Sequence, residues 1–127
     1  MRRGPILSQD QPILHVCTSC RHGDDRGAGA SLADRLETLA AGAEGGFRVN
    51  PIVCLAACER GCTAALSAAG KWSYVVGGLT PDLAGDMAAY ARAYGASPNG
   101  VVLRAGRPVS LHQAIVSRLP PLPEPRS

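Results

Sequence analysis

The residues of this chain best suited to chemistry are its five cysteines, and they fall into two groups. Cys17 and Cys20 form a C-x2-C pair in HVCTSC, while Cys54, Cys58 and Cys62 recur at four-residue intervals in VCLAACERGCTAAL. Thiolates are soft ligands, and four of them gathered in one place select zinc or an iron–sulfur cluster. Zinc ribbons favour C-x2-C in both halves of a small domain that collapses without its metal. Here the second half is C-x3-C, and the chain has enough apolar residues for a core of its own. A [2Fe–2S] cluster is broader than a single ion and takes two ligands at each iron, so it suits this looser spacing better. Zinc or another single metal is the alternative.

A thioredoxin-type redox pair in CTSC is a third reading. It needs the first cysteine at a helix N-terminus, where the dipole lowers the thiol pKa. The loop from Arg21 to Ala30 separates Cys20 from the helix expected at Ser31, which removes that support. The histidines weigh less. His15 and His22 flank the first cysteine pair and could replace thiolates as ligands, but enough cysteines are present already. A core His15 and a solvated His22 are the simpler roles, and His112 belongs on the surface of a last helix. Arg21 and Arg60, each next to or near a candidate ligand, could offset negative charge or face a partner. No Ser/His/Asp arrangement, phosphate-binding glycine loop or carboxylate pair is present, so nothing points to catalysis on a bound substrate.

The elements around the cysteines determine whether the two groups meet. PILHV (Pro12 to Val16) reads as a buried strand ending at Cys17. A helix follows from Ser31, with Leu32, Leu36, Leu39 and Ala43 as its stripe and Asp34 completing a capping pair. FRVNPIV (Phe47 to Val53) reads as a second strand that runs into Cys54. TAALSA and KWSYVVGG form a hairpin with Trp72, Tyr74 and Val76 on one face. A second helix is capped by Thr80, begins with Pro81, buries Leu83, Met87, Tyr90 and Tyr94, and ends at Gly95. A short extended piece is expected at Val101–Arg104 and a last helix from Ser110 to Leu119. The order is βαβ followed by ββα, the thioredoxin-like α/β arrangement, a mixed sheet flanked by helices. In a right-handed βαβ unit the two strands are parallel, so Cys17 and Cys54 leave the sheet at the same edge. The two cysteine groups therefore converge.

Composition sets the outer limits. The length of 127 residues and a hydrophobic content of 46% fit one domain with one core. It is expected to span residues 12–119, between a loose N-terminal arm (1–11) and a proline-rich extended tail (120–127). The formal charge of +3 is spread among scattered arginines, with no basic run interleaved with aromatics, so nucleic-acid binding has no support. The N-terminal segment lacks the apolar stretch of a signal peptide or membrane span, so a cytoplasmic protein with reduced thiols is expected and no membrane association.

VCLAACERGC after the second strand, with a cysteine pair after the first, resembles the thioredoxin-like [2Fe–2S] ferredoxins, whose own first pair is usually wider apart. HVCTSC, CLAACERGCTAALSAAGKWSYVVGGL and GRPVSLHQAIVSRLPPLP together resemble, more closely, a bacterial family of uncharacterised metal-binding proteins often encoded beside cobalamin or cobalt genes. Carried over residue by residue, the ligand positions of that family fall on Cys17, Cys20, Cys54 and Cys58. The resemblance implies a [2Fe–2S] electron carrier without catalysis of its own, serving a redox partner protein such as a cobalamin-pathway enzyme, with a homodimer left open. A zinc- or cobalt-binding protein without a redox role is the alternative. Cys62 is expected to be the spare thiol: Gly61 interrupts, CTAAL already starts the next strand, and Cys62 turns into the core. Cys62 in place of Cys20 is the competing ligand set.

Overall fold

The protein is seen in a computed structural model that describes residues 11–19, 27–42, 45–53 and 61–121. Its first strand, β1 (Ile13–Cys17), alternates as a half-covered strand must: Leu14 and Val16 are fully buried, while Ile13 and His15 between them are partly exposed. Helix α1 (Ala28–Ala41) buries Leu32, Ala33 and Leu36. It starts three residues before the predicted Ser31. Gly27 occupies the N-cap and no side chain caps the helix. The small residues Ala28 and Gly29 account for the earlier start, because both are buried where a larger side chain would hold the helix off the sheet.

Strand β2 (Arg48–Ile52) runs parallel to β1, with Ile13 opposite Arg48 and Cys17 opposite Ile52. Strand β3 (Cys62–Ser67) pairs antiparallel with the other side of β1, and β4 (Ser73–Leu79) pairs antiparallel with β3. The sheet has five strands in the order β2-β1-β3-β4-β5. Pro51 sits in β2, an edge strand, where a missing N–H costs least.

The fifth strand corrects the sequence reading. Instead of a helix from Ser110 to Leu119, a 3-10 turn at Val109–Leu111 leads into β5 (Ile115–Leu119), which pairs antiparallel with β4. Ile115 and Val116 are β-branched, and the outer edge of β4 offers them a ladder of backbone partners that a lone terminal helix would lack. Likewise the piece predicted extended at Val101–Arg104 is irregular up to Leu103, then forms a 3-10 turn at Arg104–Gly106.

Helix α2 (Ala84–Ala96) follows a 3-10 turn at Pro81–Leu83. Pro81 opens that turn as expected, but Thr80 makes no side-chain capping bond, and Gly95 lies within the last turn instead of ending the helix. That glycine allows close packing: a Cβ there would come within 3.1 Å of the Pro12 ring at the start of β1. Tyr90 and Tyr94 of α2 both meet the ring of Tyr74 in β4 edge-on, with centroids 6.4 and 6.3 Å apart. This geometry is favoured by the aromatic quadrupole. Leu14, Val16, Ala64, Leu66, Tyr74 and Val76 form the sheet side of this core. The opposite face carries Ile13, His15, Ala65, Ser67, Ser73 and Val75, all partly exposed.

Candidate metal centre

β1 and β2 end side by side, and three residues of HVCTSC fasten those ends together. The Cys17 thiol donates to the carbonyl of Val53 at 3.4 Å and lies 3.5 Å from the Ser19 hydroxyl. Ser19 also donates to the Val53 carbonyl through Oγ. Between them, Thr18 donates to the carbonyl of Ile52 twice, through its backbone N–H at 2.8 Å and its hydroxyl at 2.9 Å. The residue bonded to the Val53 carbonyl is Cys54. The first cysteine of one group therefore sits against the peptide that leads into the first cysteine of the other.

Cys17 is fully buried although it ends a strand. It belongs to the same core cluster as Leu14 and Val16, so the alternation of exposure along β1 stops at its last residue. Cys62, the first residue of β3, is also fully buried, and it belongs to the row of Ala64 and Leu66 that meets the helices. Both cysteines belong to the one buried core. The register between β1 and β3 runs from Ile13 opposite Ser67 to Val16 opposite Ala64, next to Thr63 in β3. Thr63 is likewise fully buried.

His15 has both ring nitrogens engaged by the sheet. The Asn50 side-chain nitrogen donates to Nδ1 at 3.0 Å, and Nε2 meets the Ser67 hydroxyl at 3.0 Å as the protonated nitrogen. Burial holds its pKa below the ordinary value of 6.5. It is a histidine held neutral, with both ring nitrogens engaged by neighbouring strands. His112, expected on a helix surface, instead follows the 3-10 turn at Val109–Leu111 and bonds through Nε2 to the carbonyl of Arg107 at 3.1 Å. Sequence reasoning missed the Asn50–His15–Ser67 row, because only the strand register shows that Asn50 lies opposite His15. It also passed over Thr18 and Ser19, whose hydroxyls inside CTSC were visible but whose acceptor on β2 was not.

Cys20, Cys54, Cys58, His22, Arg21 and Arg60 lie outside the described residues. The described residues contain no group of three His, Cys, Asp or Glu able to hold a metal, and they include two of the five cysteines. The chemistry of the donors present does fit a thiolate-held group. Cys17 offers a soft, buried sulfur beside the entry to Cys54, and both helices begin at this end of the sheet, α1 after the loop that leaves β1 and α2 after β4, whose Leu79 pairs with Cys62. The partial positive charge of helix N-termini favours negative charge nearby.

The profile of a family described as "Protein of unknown function (DUF1636)" matches residues 14–121. The chain belongs to that family. No curated protein matches it. Among solved structures it is similar to a thioredoxin-like [2Fe–2S] ferredoxin from Aquifex aeolicus, with 17% sequence identity and a TM-score of 0.55. The match covers 87% of this chain and 94% of that one. At this identity the likeness establishes the fold, an α/β mixed sheet with helices of the thioredoxin-like ferredoxin kind. No helix among the described residues is long and apolar enough to cross a membrane.

Proposed function

We propose that this DUF1636 protein is a [2Fe–2S] carrier of single electrons, with Cys17, Cys20, Cys54 and Cys58 as the ligands. The reading rests above all on the Cys17 thiol lying 3.4 Å from the carbonyl that precedes Cys54. That contact supports the reading because a centre held by thiolates needs the first cysteine group close to the segment that leads into the second. The structural neighbour, a thioredoxin-like [2Fe–2S] ferredoxin, supports the same reading, since the two folds agree over most of both chains. A bound cluster would supply one-electron chemistry; the protein's part is to hold it, to keep it partly dry and to present it to a redox partner protein. No catalysis is assigned to the chain itself. A link to cobalamin enzymes rests on resemblance alone.

Anaerobic purification of the full chain tests the proposal. The expected product is reddish-brown, with about two irons and two sulfides per chain, and is reversibly reduced by one electron from dithionite. A colourless protein with stoichiometric zinc and no sulfide, from cells grown with ample iron, would establish the single-metal alternative instead.

A further inference from the structure

Two donors share one acceptor beside Cys17. The thiol of Cys17 and the hydroxyl of Ser19 both donate to the Val53 carbonyl, while Cys17 Sγ and Ser19 Oγ stand 3.5 Å apart. This arrangement belongs to a protonated thiol. A sulfur bonded to a metal carries no proton, so Cys17 as a ligand stops donating and becomes a charged acceptor. The Ser19 hydroxyl has a single proton and two acceptors within reach, one a neutral carbonyl and the other a thiolate. Hydrogen bonds to an ionised partner are roughly twice as strong as those between neutral groups. Little opposes the exchange, because Val53 is 74% exposed and its carbonyl can turn to water.

Resting on the electron-carrier reading above, we infer that Ser19 is a positioning residue for the centre, its hydroxyl swinging from the Val53 carbonyl to the Cys17 sulfur when that sulfur becomes a ligand. Its effect is on the reduction potential. Reduction adds one electron from an external donor and makes the centre one unit more negative. A donor to a ligand sulfur stabilises that added charge and raises the potential. Ser19 is exposed, so its replacement leaves the core intact.

The test compares wild type, Ser19→Ala and Ser19→Thr, each purified anaerobically as the full chain, by iron and sulfide analysis and by dithionite titration against redox dyes. Ser19→Ala is expected to hold the same iron and sulfide but to reduce with an equilibrium constant about tenfold lower, a shift of about 59 mV to more negative potential for a one-electron couple. Ser19→Thr, which keeps the hydroxyl, should return most of that shift. Equal potentials for Ser19→Ala and wild type overturn the inference and leave the electron-carrier reading standing. So does a Ser19→Thr potential as low as that of Ser19→Ala, because the hydroxyl is then not the cause. Loss of iron from Ser19→Ala with Ser19→Thr fully loaded overturns it as well, since Ser19 would then serve to hold the site together. A wild-type chain that takes up no iron and sulfide overturns the reading beneath it.

Discussion

Cys17 and Cys62 meet different neighbours at the same end of the sheet. Both are fully buried in the core, Cys17 at the end of β1 against the Val53 carbonyl and Cys62 at the start of β3 with Ala64 and Leu66. Replacing Cys17 by serine is expected to abolish the visible cluster spectrum, because serine keeps the hydrogen bond to Val53 but lacks the soft donor. Cys54→Ser and Cys58→Ser should do the same. Cys62→Ala should keep the spectrum and cost about 1 kcal/mol of stability, as a modest core truncation does. Denaturant titrations with absorbance as a second readout check both, and bleaching by Cys62→Ala with an unaffected Cys20→Ala would exchange those two residues in the ligand set. His15 makes a separate prediction. Burial depresses its pKa, so the unfolded chain takes up the proton more readily than the folded one. Its contribution to stability is complete above the ordinary value of 6.5 and is lost as pH falls from there toward the lower folded value. In metal-free protein, His15→Gln should flatten the fall of the urea midpoint between about pH 7 and about pH 5. Parallel curves for mutant and wild type would remove His15 as the source.

At the level of elements, apolar stripes together with cap and turn residues identified β1, the β3–β4 hairpin and both helices, and the short run FRVNPIV marked β2, although none of that strand's residues is fully buried. The exceptions are instructive. β5 has no such stripe: it is an edge strand whose residues are all partly or fully exposed, and its existence depends on the free edge of β4, which no local window contains. The early start of α1 was hidden for the opposite reason, since Ala28 and Gly29 are too small to register as a stripe yet are fully packed. The two tyrosines of α2 look alike in sequence but differ in what their hydroxyls meet. Tyr94 donates to the Trp72 carbonyl at 2.5 Å, whereas the buried Tyr90 hydroxyl has no partner among the described residues. Burial pushes the Tyr94 pKa up to about 12, and that of Tyr90 upward as well. Tyr94→Phe should therefore destabilise by about 1 kcal/mol, the net value of one hydrogen bond, while Tyr90→Phe should leave stability unchanged or raise it. Thermal melts of the two variants decide this, and a Tyr90→Phe loss equal to that of Tyr94→Phe would show that the buried hydroxyl is satisfied.

For the molecule as a whole, the topology does the work that spacing in the sequence could only imply. Parallel pairing of β1 with β2 and antiparallel pairing of β1 with β3 bring Cys17, the entry to Cys54, and Cys62 to one end of the sheet, where both helices begin. The parallel pairing of β1 with β2 was legible in the sequence because a helix crossover joins parallel strands with a fixed hand. The hydroxyl contacts of Thr18 and Ser19 across to the end of β2 were not, because they depend on which residues stand opposite one another. Beyond Cys17 and Cys62, the core is made of apolar and aromatic side chains that are no metal ligands: Leu14, Leu32, Leu36, Leu66, Met87, Tyr90 and Tyr94 are fully buried. A zinc finger has no such reserve, and its metal-binding energy is its folding energy. This protein should therefore keep its fold when the centre is removed. Chelated, colourless protein is expected to retain its far-ultraviolet circular dichroism and a single cooperative thermal transition, at a lower midpoint than the loaded form because a ligand that binds only the folded state adds to its stability. The loss should be concentrated at the end of the sheet that carries Cys17, so amide exchange should speed up at Thr18 and Ser19 far more than at Leu66 or Val76. A chelated protein without a cooperative transition would mean that the metal, and not the aromatic and leucine core, holds the sheet together.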